Sequence, residues 1–204
     1  MKLYYAPGAC SLSPHISLRE AGADFEIVKV DTKTHLTEAG ADFKAINPKG
    51  YVPALVLESG DVVTEGAAVV QYIADRFPEA KLAPANGTLE RTRLQEQLNF
   101  ISSELHKAFA PLFNGAASPE AKEAAKAQVA KRFGNVESLL ADGRHYLLGA
   151  DFSVADAYLF TVVNWSGATG ISLSPWPHLE AYVQRIAERP AVRAAMQSEG
   201  LIAA

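Results

Sequence analysis

The arrangement of apolar and polar positions differs between two parts of the chain. Up to about residue 77, short apolar runs that favour strands are mixed with segments of helical period. KLYY and FEIVKV predict two strands, and NPKGYVPALVL and DVVTE predict a hairpin around the turn ESG. The order β-α-β, an irregular stretch and then β-β-α predicts a small mixed sheet with helices packed against it.

Two helices complete this first part. SLSPHISLREAG begins with serines, which are typical of helix N-caps, and Gly22 suits the end of a helix. GAAVVQYIADRF repeats apolar residues at helical spacing, at Val69, Ile73 and Phe77. PEAKLAPANGT follows, with prolines, a glycine and little periodicity. We therefore predict a first domain over residues 1–80 and a linker over 81–87.

Beyond residue 88 every pattern is helical. LQEQLNFISSELHKAFAPLF carries an apolar stripe formed by Leu94, Leu98, Ile101, Leu105, Phe109 and Leu112. A long helix is predicted to end at Gly143, and another before Pro190. Between them, SVADAYLFTVVNW begins with Ser153 and Asp156 at capping-box spacing, and its apolar interior predicts a buried central helix. Residues 88–204 are expected to form an all-helical domain, in which the capping pair serves folding.

Composition narrows the possible classes of function. The 204 residues are 49% hydrophobic and carry a net charge of −4, which gives no support to a nucleic-acid or anionic-membrane partner. One cysteine excludes an intrachain disulfide. The N-terminus lacks the pattern of a signal peptide, and no apolar run approaches the roughly 20 residues that span a bilayer. These features predict a cytoplasmic protein.

The single cysteine, Cys10, follows the first strand and a Pro-Gly turn and precedes a predicted helix. Unpaired N–H groups and the helix dipole at such a position favour a thiolate. The alternative is that Cys10 is simply a small buried apolar residue. In the thioredoxin-like motif Cys-x-x-Cys a second thiol stands three residues later, but here that residue is Ser13. Any disulfide of Cys10 therefore needs an outside thiol, such as glutathione.

Six segments together resemble the bacterial beta-class glutathione transferases over essentially the whole chain: KLYYAPGACSLSPHI, NPKGYVPAL, TEGAAVVQYIAD, LNFISSELHK, SVADAYLF and SEGLI. The resemblance implies a thioredoxin-like N-terminal domain, an all-helical C-terminal domain and a homodimer. It also implies that glutathione is a co-substrate, joined through its thiolate to electrophilic small molecules, with no metal and no permanently bound cofactor.

The resemblance further implies a glutathione site in the first domain. Taken without the resemblance, Val52-Pro53 indicates an ordinary strand start, and Glu65 an ordinary acidic residue in the first turn of a helix. In the family the Val52-Pro53 bond is cis, and the Val52 backbone pairs with glutathione as an added strand does. The helix start at Glu65 and Gly66 then receives the γ-glutamyl carboxylate, and Glu65 the adjacent ammonium.

A second group of site residues lies in LNFISSELHK. Asn99, Ser103 and His106 share one face of a regular helix, roughly 120–180° from the apolar stripe. A solvated polar face is the alternative. The resemblance assigns this face, with Glu104 and Leu105, to the glutathione and substrate cleft. His106 is expected to titrate near neutrality and to steady the thiolate or carry a proton.

Two positions depart from the family pattern or leave a role open. Many relatives have lysine where this chain has His35, and a histidine neutralises the glycine-end carboxylate of glutathione only when protonated. Lys33 is close enough in sequence to compensate. Other transferase classes use a tyrosine near the first strand, but with Cys10 present we interpret Tyr5 as structural. Tyr51 is expected to shape the pocket wall.

Three functions are compatible with these features. The leading one is a glutathione transferase, with halide displacement as one possible reaction, acting on a hydrophobic electrophile over Phe109, Phe113 and Trp165. The second is a glutaredoxin-like exchange in which Cys10 itself forms a mixed disulfide. The third is a non-catalytic binding or regulatory member of the fold, against which Cys10, Glu65 and His106 argue. The sequence does not identify the electrophile.

Overall fold

The structure is a computed structural model that describes residues 1–203. Its strands are β1 (Lys2–Tyr5), β2 (Glu26–Asp31), β3 (Leu36–Thr37), β4 (Ala54–Val56) and β5 (Val62–Thr64). Its helices are α1 (Leu12–Glu20), α2 (Gly66–Arg76), α3 (Leu89–Phe100), α4 (His106–Ala108), α5 (Ala110–Phe113), α6 (Pro119–Leu140), α7 (Val154–Val163), α8 (Trp165–Thr169), α9 (Pro177–Ala187) and α10 (Pro190–Ser198). Short 3₁₀ turns span Phe43–Ala45 and Pro78–Ala80, and a π-helical segment spans Ile101–Leu105. No helix among residues 1–203 is long and apolar enough to cross a membrane.

The chain forms two compact units. The first contains residues 1–83 and 188–203, and the second contains residues 84–187. This division differs from the predicted one at the C-terminal end, since α10 packs against α1 in the first unit. Sequence patterns do not show such a contact, because they report on the period of a helix and not on its partner.

The first unit is built on a five-stranded mixed sheet of order β3-β2-β1-β4-β5. Strand β1 pairs in parallel with β2 and antiparallel with β4, and β4 and β5 form the predicted hairpin. Strand β3 is absent from the sequence prediction, because two residues are too short to show a period.

Both faces of this sheet are covered. One face packs against α1 and α2 through Leu3, Tyr5, Leu18, Leu55, Val69 and Ile73. The other holds a smaller cluster of Val30, Phe43, Val52 and Ala54. Tyr5 is 7% exposed, and its burial raises the pKa of its phenol, in agreement with a structural role.

Two serines at the start of α1, one just before the helix and one in its first turn, do not act as the predicted helix caps. Ser11 stands at the N-cap position but makes no capping bond with its side chain. Its Oγ accepts the Ala6 N–H at 3.1 Å and lies 3.3 Å from the Ala6 carbonyl, while Ser13 Oγ donates to the Cys10 carbonyl at 2.8 Å. The hydroxyls therefore tie down the loop that carries Cys10. Gly22, at φ +63°, follows the C-cap of α1 as predicted.

Charged groups join the C-terminal segment to the rest of this unit. Arg189 binds the Glu20 carboxylate through two nitrogens, at 2.6 and 2.8 Å. Glu199 accepts the Gly8 N–H at 2.9 Å and contacts His15 Nδ1 at 2.8 Å, and the His15 and Glu199 side chains are both 0% exposed. Since Gly8 lies two residues before Cys10, the C-terminal segment helps to define the shape of the cysteine loop.

The second unit is the predicted helical bundle. The stripe residues of α3 and the segments after it are buried as expected, except that Leu112 is only partly covered. Helix α6 ends before Gly143, and all ten residues of α7 are buried, which confirms the central helix.

Asp156 organises the start of α7. It forms the predicted capping box with Ser153. Its Oδ1 accepts the Leu147 N–H at 2.8 Å and the Tyr182 hydroxyl at 2.9 Å, and its Oδ2 accepts the Ser153 N–H and hydroxyl at 2.8 and 2.7 Å. Burial raises the pKa of Asp156, although these hydrogen bonds oppose that shift. One carboxylate thus satisfies donors from three segments.

We expect Asp156→Ala to lower the free energy of unfolding by about 3 kcal/mol or more, because several buried donors lose their acceptor. Urea unfolding followed by circular dichroism measures the change. Asp151→Ala, at an exposed position on the preceding loop, is the control and is expected to change little. An equal loss in the two variants would contradict this role of Asp156.

Candidate active site

Cys10 lies two residues before the start of α1, as the sequence predicts. Its Sγ donates to the Val52 carbonyl at 3.3 Å. The Val52-Pro53 peptide is cis, which agrees with the resemblance. The Cys10–Val52 contact needs the proton on sulfur, because a carbonyl oxygen only accepts. In this contact the sulfur is the donor, at the start of a helix whose unpaired N–H groups favour a thiolate.

The start of α2 combines a constrained backbone with donors. Glu65 has φ +69°, which is unusual for a residue with a side chain and is often found at ligand sites. Its carbonyl accepts the N–H groups of Ala68 and Val69, the first donors to bond inside the helix. The N–H groups of Gly66 and Ala67 come before that ladder and lie at the positive end of the helix dipole.

The Glu65 carboxylate belongs to a small polar cluster. Its Oε1 lies 2.5 Å from Lys49 Nζ and 3.4 Å from the Tyr51 hydroxyl. The hydrogen bond to Glu65 raises the pKa of Lys49. Tyr51 is 50% exposed. Sequence reasoning missed Lys49, because a lysine in a polar loop carries no signal of its partner.

His35 is oriented by a backbone carbonyl. Its Nδ1 lies 2.8 Å from the Gly50 carbonyl oxygen, so Nδ1 carries a hydrogen. The ring packs so closely on Gly50 that an added Cβ there would lie 3.0 Å from His35 Cε1. The neutral ring thus presents an acceptor at Nε2, and only the protonated ring presents a donor there.

The predicted site residues of the helical unit differ in their exposure and in their partners. Asn99 and Ser103 are exposed, and Ser103 Oγ donates to the Asn99 carbonyl at 2.8 Å. Glu104 is paired with Arg132 at 2.7 Å. Leu105 is 0% exposed, so its side chain is part of the core, as the apolar stripe requires, and does not line a cleft.

The π-helical segment changes the expected spacing of His106. The N–H of His106 bonds to the Ile101 carbonyl, five residues earlier, and this wide turn rotates His106 relative to a regular helix. Its Nδ1 lies 2.9 Å from the Tyr158 hydroxyl, and its ring packs edge-on against Trp165 at a centroid distance of 4.8 Å. His106 therefore lies among aromatic side chains and not on an open polar face.

The expected charge of His106 is also wrong. Burial, with a smaller contribution from the Lys107 charge, lowers the pKa of His106 to about 4. The ring is therefore neutral at pH 7. It is available as one donor and one acceptor, but not as a cation.

An aromatic cluster surrounds His106. Trp165 contacts Phe109 at 5.6 Å and Phe113 at 5.5 Å between centroids. Phe113 is 55% exposed, whereas Phe109 is fully buried. The Phe109 ring packs against both Phe113 and Trp165. Phe113 is thus the exposed ring of this cluster, whereas Trp165 is partly covered.

Comparisons with known proteins agree with this geometry. Residues 8–76 match the glutathione S-transferase N-terminal domain, and residues 100–190 match the glutathione S-transferase C-terminal domain. Glutathione S-transferase GstA of Escherichia coli O157:H7 is 46% identical over 98% of this chain and all of its own. The bacterial beta-class glutathione S-transferase of Sphingomonas chungbukensis is 52% identical, with a TM-score of 0.96 over 99% of this chain and all of its own. A sphingomonad glutathione S-transferase solved in complex with glutathione is also 52% identical, with a TM-score of 0.95 over the same shares.

The mixed sheet of the first unit and the helical bundle of the second unit are those of the glutathione S-transferase fold. The chain belongs to the glutathione S-transferase family and is a transferase of that family. Within it, the resemblance to the bacterial beta class is confirmed.

We expect His106 to remain neutral from pH 8 down to about pH 5 and to protonate around pH 4. The unfolded chain protonates its histidines near pH 6.5, so His106 makes folding stability fall as the pH drops from about 6.5 towards 4. Ring ¹⁵N shifts measure the protonation, and His106→Gln identifies the signal and should lessen the loss of stability. A charged His106 ring at pH 7 would contradict this result.

Proposed function

We propose that the protein binds glutathione along the edge formed by Cys10, Val52 and the start of α2, and joins its thiolate to a hydrophobic electrophile. The observation that carries this proposal is the 3.3 Å contact between Cys10 and Val52. Strands β4 and β5 pair with Ala54 opposite Thr64, so the same register brings Val52 towards Gly66. The thiol, a backbone edge and a helix start therefore follow one another along one ligand path.

Each part of glutathione has a matching group on this path. The γ-glutamyl carboxylate suits the Gly66 and Ala67 N–H groups, and its ammonium suits Glu65. The cysteinyl backbone pairs with the Val52 backbone, and its sulfur lies over Cys10. The glycine carboxylate is assigned to His35 Nε2, which donates only when His35 is protonated.

A second group of site residues is proposed from the family resemblance alone. Asn99, Ser103 and Glu104 are proposed to contact glutathione. Leu105 is proposed to contribute its backbone only, because its side chain is buried. Neutral His106 acts as a hydrogen-bond partner. Phe113 and Trp165 suit a hydrophobic aromatic electrophile, including one that loses a halide. On the strength of the family resemblance, we also propose a cytoplasmic homodimer that has glutathione as co-substrate and acts on no nucleic acid or membrane.

The second candidate function is thiol-disulfide exchange through Cys10. It is favoured by the place of the thiol at the start of α1, where an attacking thiolate is stabilised. Transfer to glutathione would proceed through a mixed disulfide, because the chain has no second cysteine.

We expect Glu65→Ala to weaken glutathione binding about tenfold or more, because a charged hydrogen bond is worth roughly 1.5–3 kcal/mol. Isothermal calorimetry measures the change. Glu58→Ala removes the same charge from the exposed hairpin turn between β4 and β5 and is expected to leave affinity unchanged. Equal affinities of wild type and Glu65→Ala would show that Glu65 is not a ligand residue.

Two substitutions separate the roles of Cys10. Cys10→Ala and Cys10→Ser should both abolish disulfide exchange, since neither can form the mixed disulfide. In conjugation the nucleophile is the sulfur of glutathione, so both variants should keep part of that activity. Cys10→Ser should keep more of it, because a hydroxyl can still donate. Both activities are measured on each preparation, together with glutathione binding.

Intact mass spectrometry of protein purified without reductant completes this test. A mass gain of one glutathione, absent from Cys10→Ala and reversed by a dithiol, supports the exchange role. Exchange at the wild-type rate in Cys10→Ala would refute that role. Loss of conjugation in both variants with binding intact would make Cys10 essential to conjugation.

A further inference from the structure

We propose that the Lys49 ammonium occupies the position that the ammonium group of the ligand takes on binding. It holds the Glu65 carboxylate in the unliganded enzyme and is displaced when glutathione binds. This inference rests on the proposed function, in which Glu65 receives the γ-glutamyl ammonium.

The contacts of Glu65 resemble those that a bound ammonium would make. Lys49 Nζ lies 2.5 Å from Glu65 Oε1 and 3.4 Å from Thr64 Oγ1, and the Tyr51 hydroxyl lies 3.4 Å from the same carboxylate oxygen. Lysine carries a primary ammonium with three donors, as does the α-amino group of an amino acid. Lys49 therefore pairs with the Glu65 carboxylate through the same chemical group, a primary ammonium, that the ligand carries.

The position of Glu65 leaves the ligand little choice of partner. In the γ-glutamyl group, the ammonium and the carboxylate are attached to the same carbon. If the carboxylate takes the N–H groups of Gly66 and Ala67, the ammonium must lie beside them. Glu65 is the residue immediately before Gly66, and its backbone is held at φ +69°. The ammonium therefore has to occupy the space beside Glu65 that the Lys49 ammonium fills.

The ion pair is weak enough to exchange. The Lys49 and Glu65 side chains are 47% and 58% exposed, so water screens their attraction. The lysine side chain is flexible and can return its charge to solvent. Binding then replaces one cation on Glu65 with another, and the ligand gains only the difference between the two contacts.

This exchange predicts that glutathione affinity rises when the positive charge of Lys49 is removed. Lys49→Ala should tighten glutathione binding about two- to fivefold, which corresponds to the usual strength of an exposed ion pair. A tripeptide in which glutaryl replaces the γ-glutamyl group lacks the ammonium and does not need to displace Lys49. For that analogue Lys49→Ala should give no gain.

The experiment is calorimetric titration of the full-length protein with glutathione and with glutaryl-cysteinyl-glycine, at one pH and one ionic strength. Lys44→Ala is the matched control. Lys44 is an exposed lysine on the same loop, so it tests for the effect of net charge alone. Thermal unfolding checks that each variant is folded.

The exchange is supported if Lys49→Ala binds glutathione more tightly than the wild type does, while its affinity for the glutaryl analogue is unchanged and Lys44→Ala shows no such increase. Weaker glutathione binding would overturn it and would identify Lys49 as a ligand for the γ-glutamyl carboxylate. Unchanged affinity, or an equal gain in Lys44→Ala, would also overturn it. If the wild type binds glutathione and Glu65→Ala weakens that binding, such a failure leaves the proposed function intact. If the wild type does not bind glutathione, the proposed function fails as well.

Discussion

The pairing of β1 with β4 is the constraint on which the candidate active site depends. The two strands are antiparallel, with Tyr4 opposite Ala54. The end of β1 and the beginning of β4 therefore emerge at the same edge of the sheet. Cys10 lies just beyond one strand and Val52 just before the other, which is why residues 42 positions apart meet at 3.3 Å. Both residues of the candidate active site lie on loops, and the pairing of the strands determines how far apart these loops are.

Other interactions limit the freedom of these loops. The Ser11 hydroxyl binds both backbone groups of Ala6, and the buried Glu199 carboxylate accepts the Gly8 N–H. The cysteine loop is thus held from within and from the C-terminal segment. On the other side of Val52, the Asn47 amide donates to the Tyr51 carbonyl at 2.7 Å. Such preorganisation lowers the conformational entropy that a ligand has to remove on binding.

In the helical unit, the burial of α7 is the main constraint. Helix α7 is buried along its whole length, so its polar ends have to be satisfied inside the protein, and Asp156 does this at the start. Around this helix, burial also determines electrostatics. The same aromatic surroundings that give an apolar surface at Phe113 and Trp165 remove the charge from His106. Aromatic side chains packed around a histidine and a positive charge on its ring are physically opposed, because burial disfavours the charged form.

Local patterns in the sequence were sufficient for four of the five strands, the apolar stripe of α3, the capping box at Ser153 and the place of Cys10 before a helix. These features depend on neighbouring residues, whose period and chemistry are visible in the chain. The Lys49–Glu65 pair, the attachment of Glu199 to the cysteine loop and the neutrality of His106 were decided only by the tertiary structure. Charge pairing and desolvation depend on which distant groups come together, and the π-helical turn at Ile101–Leu105 shows that even a local face changes when the helix departs from its regular period.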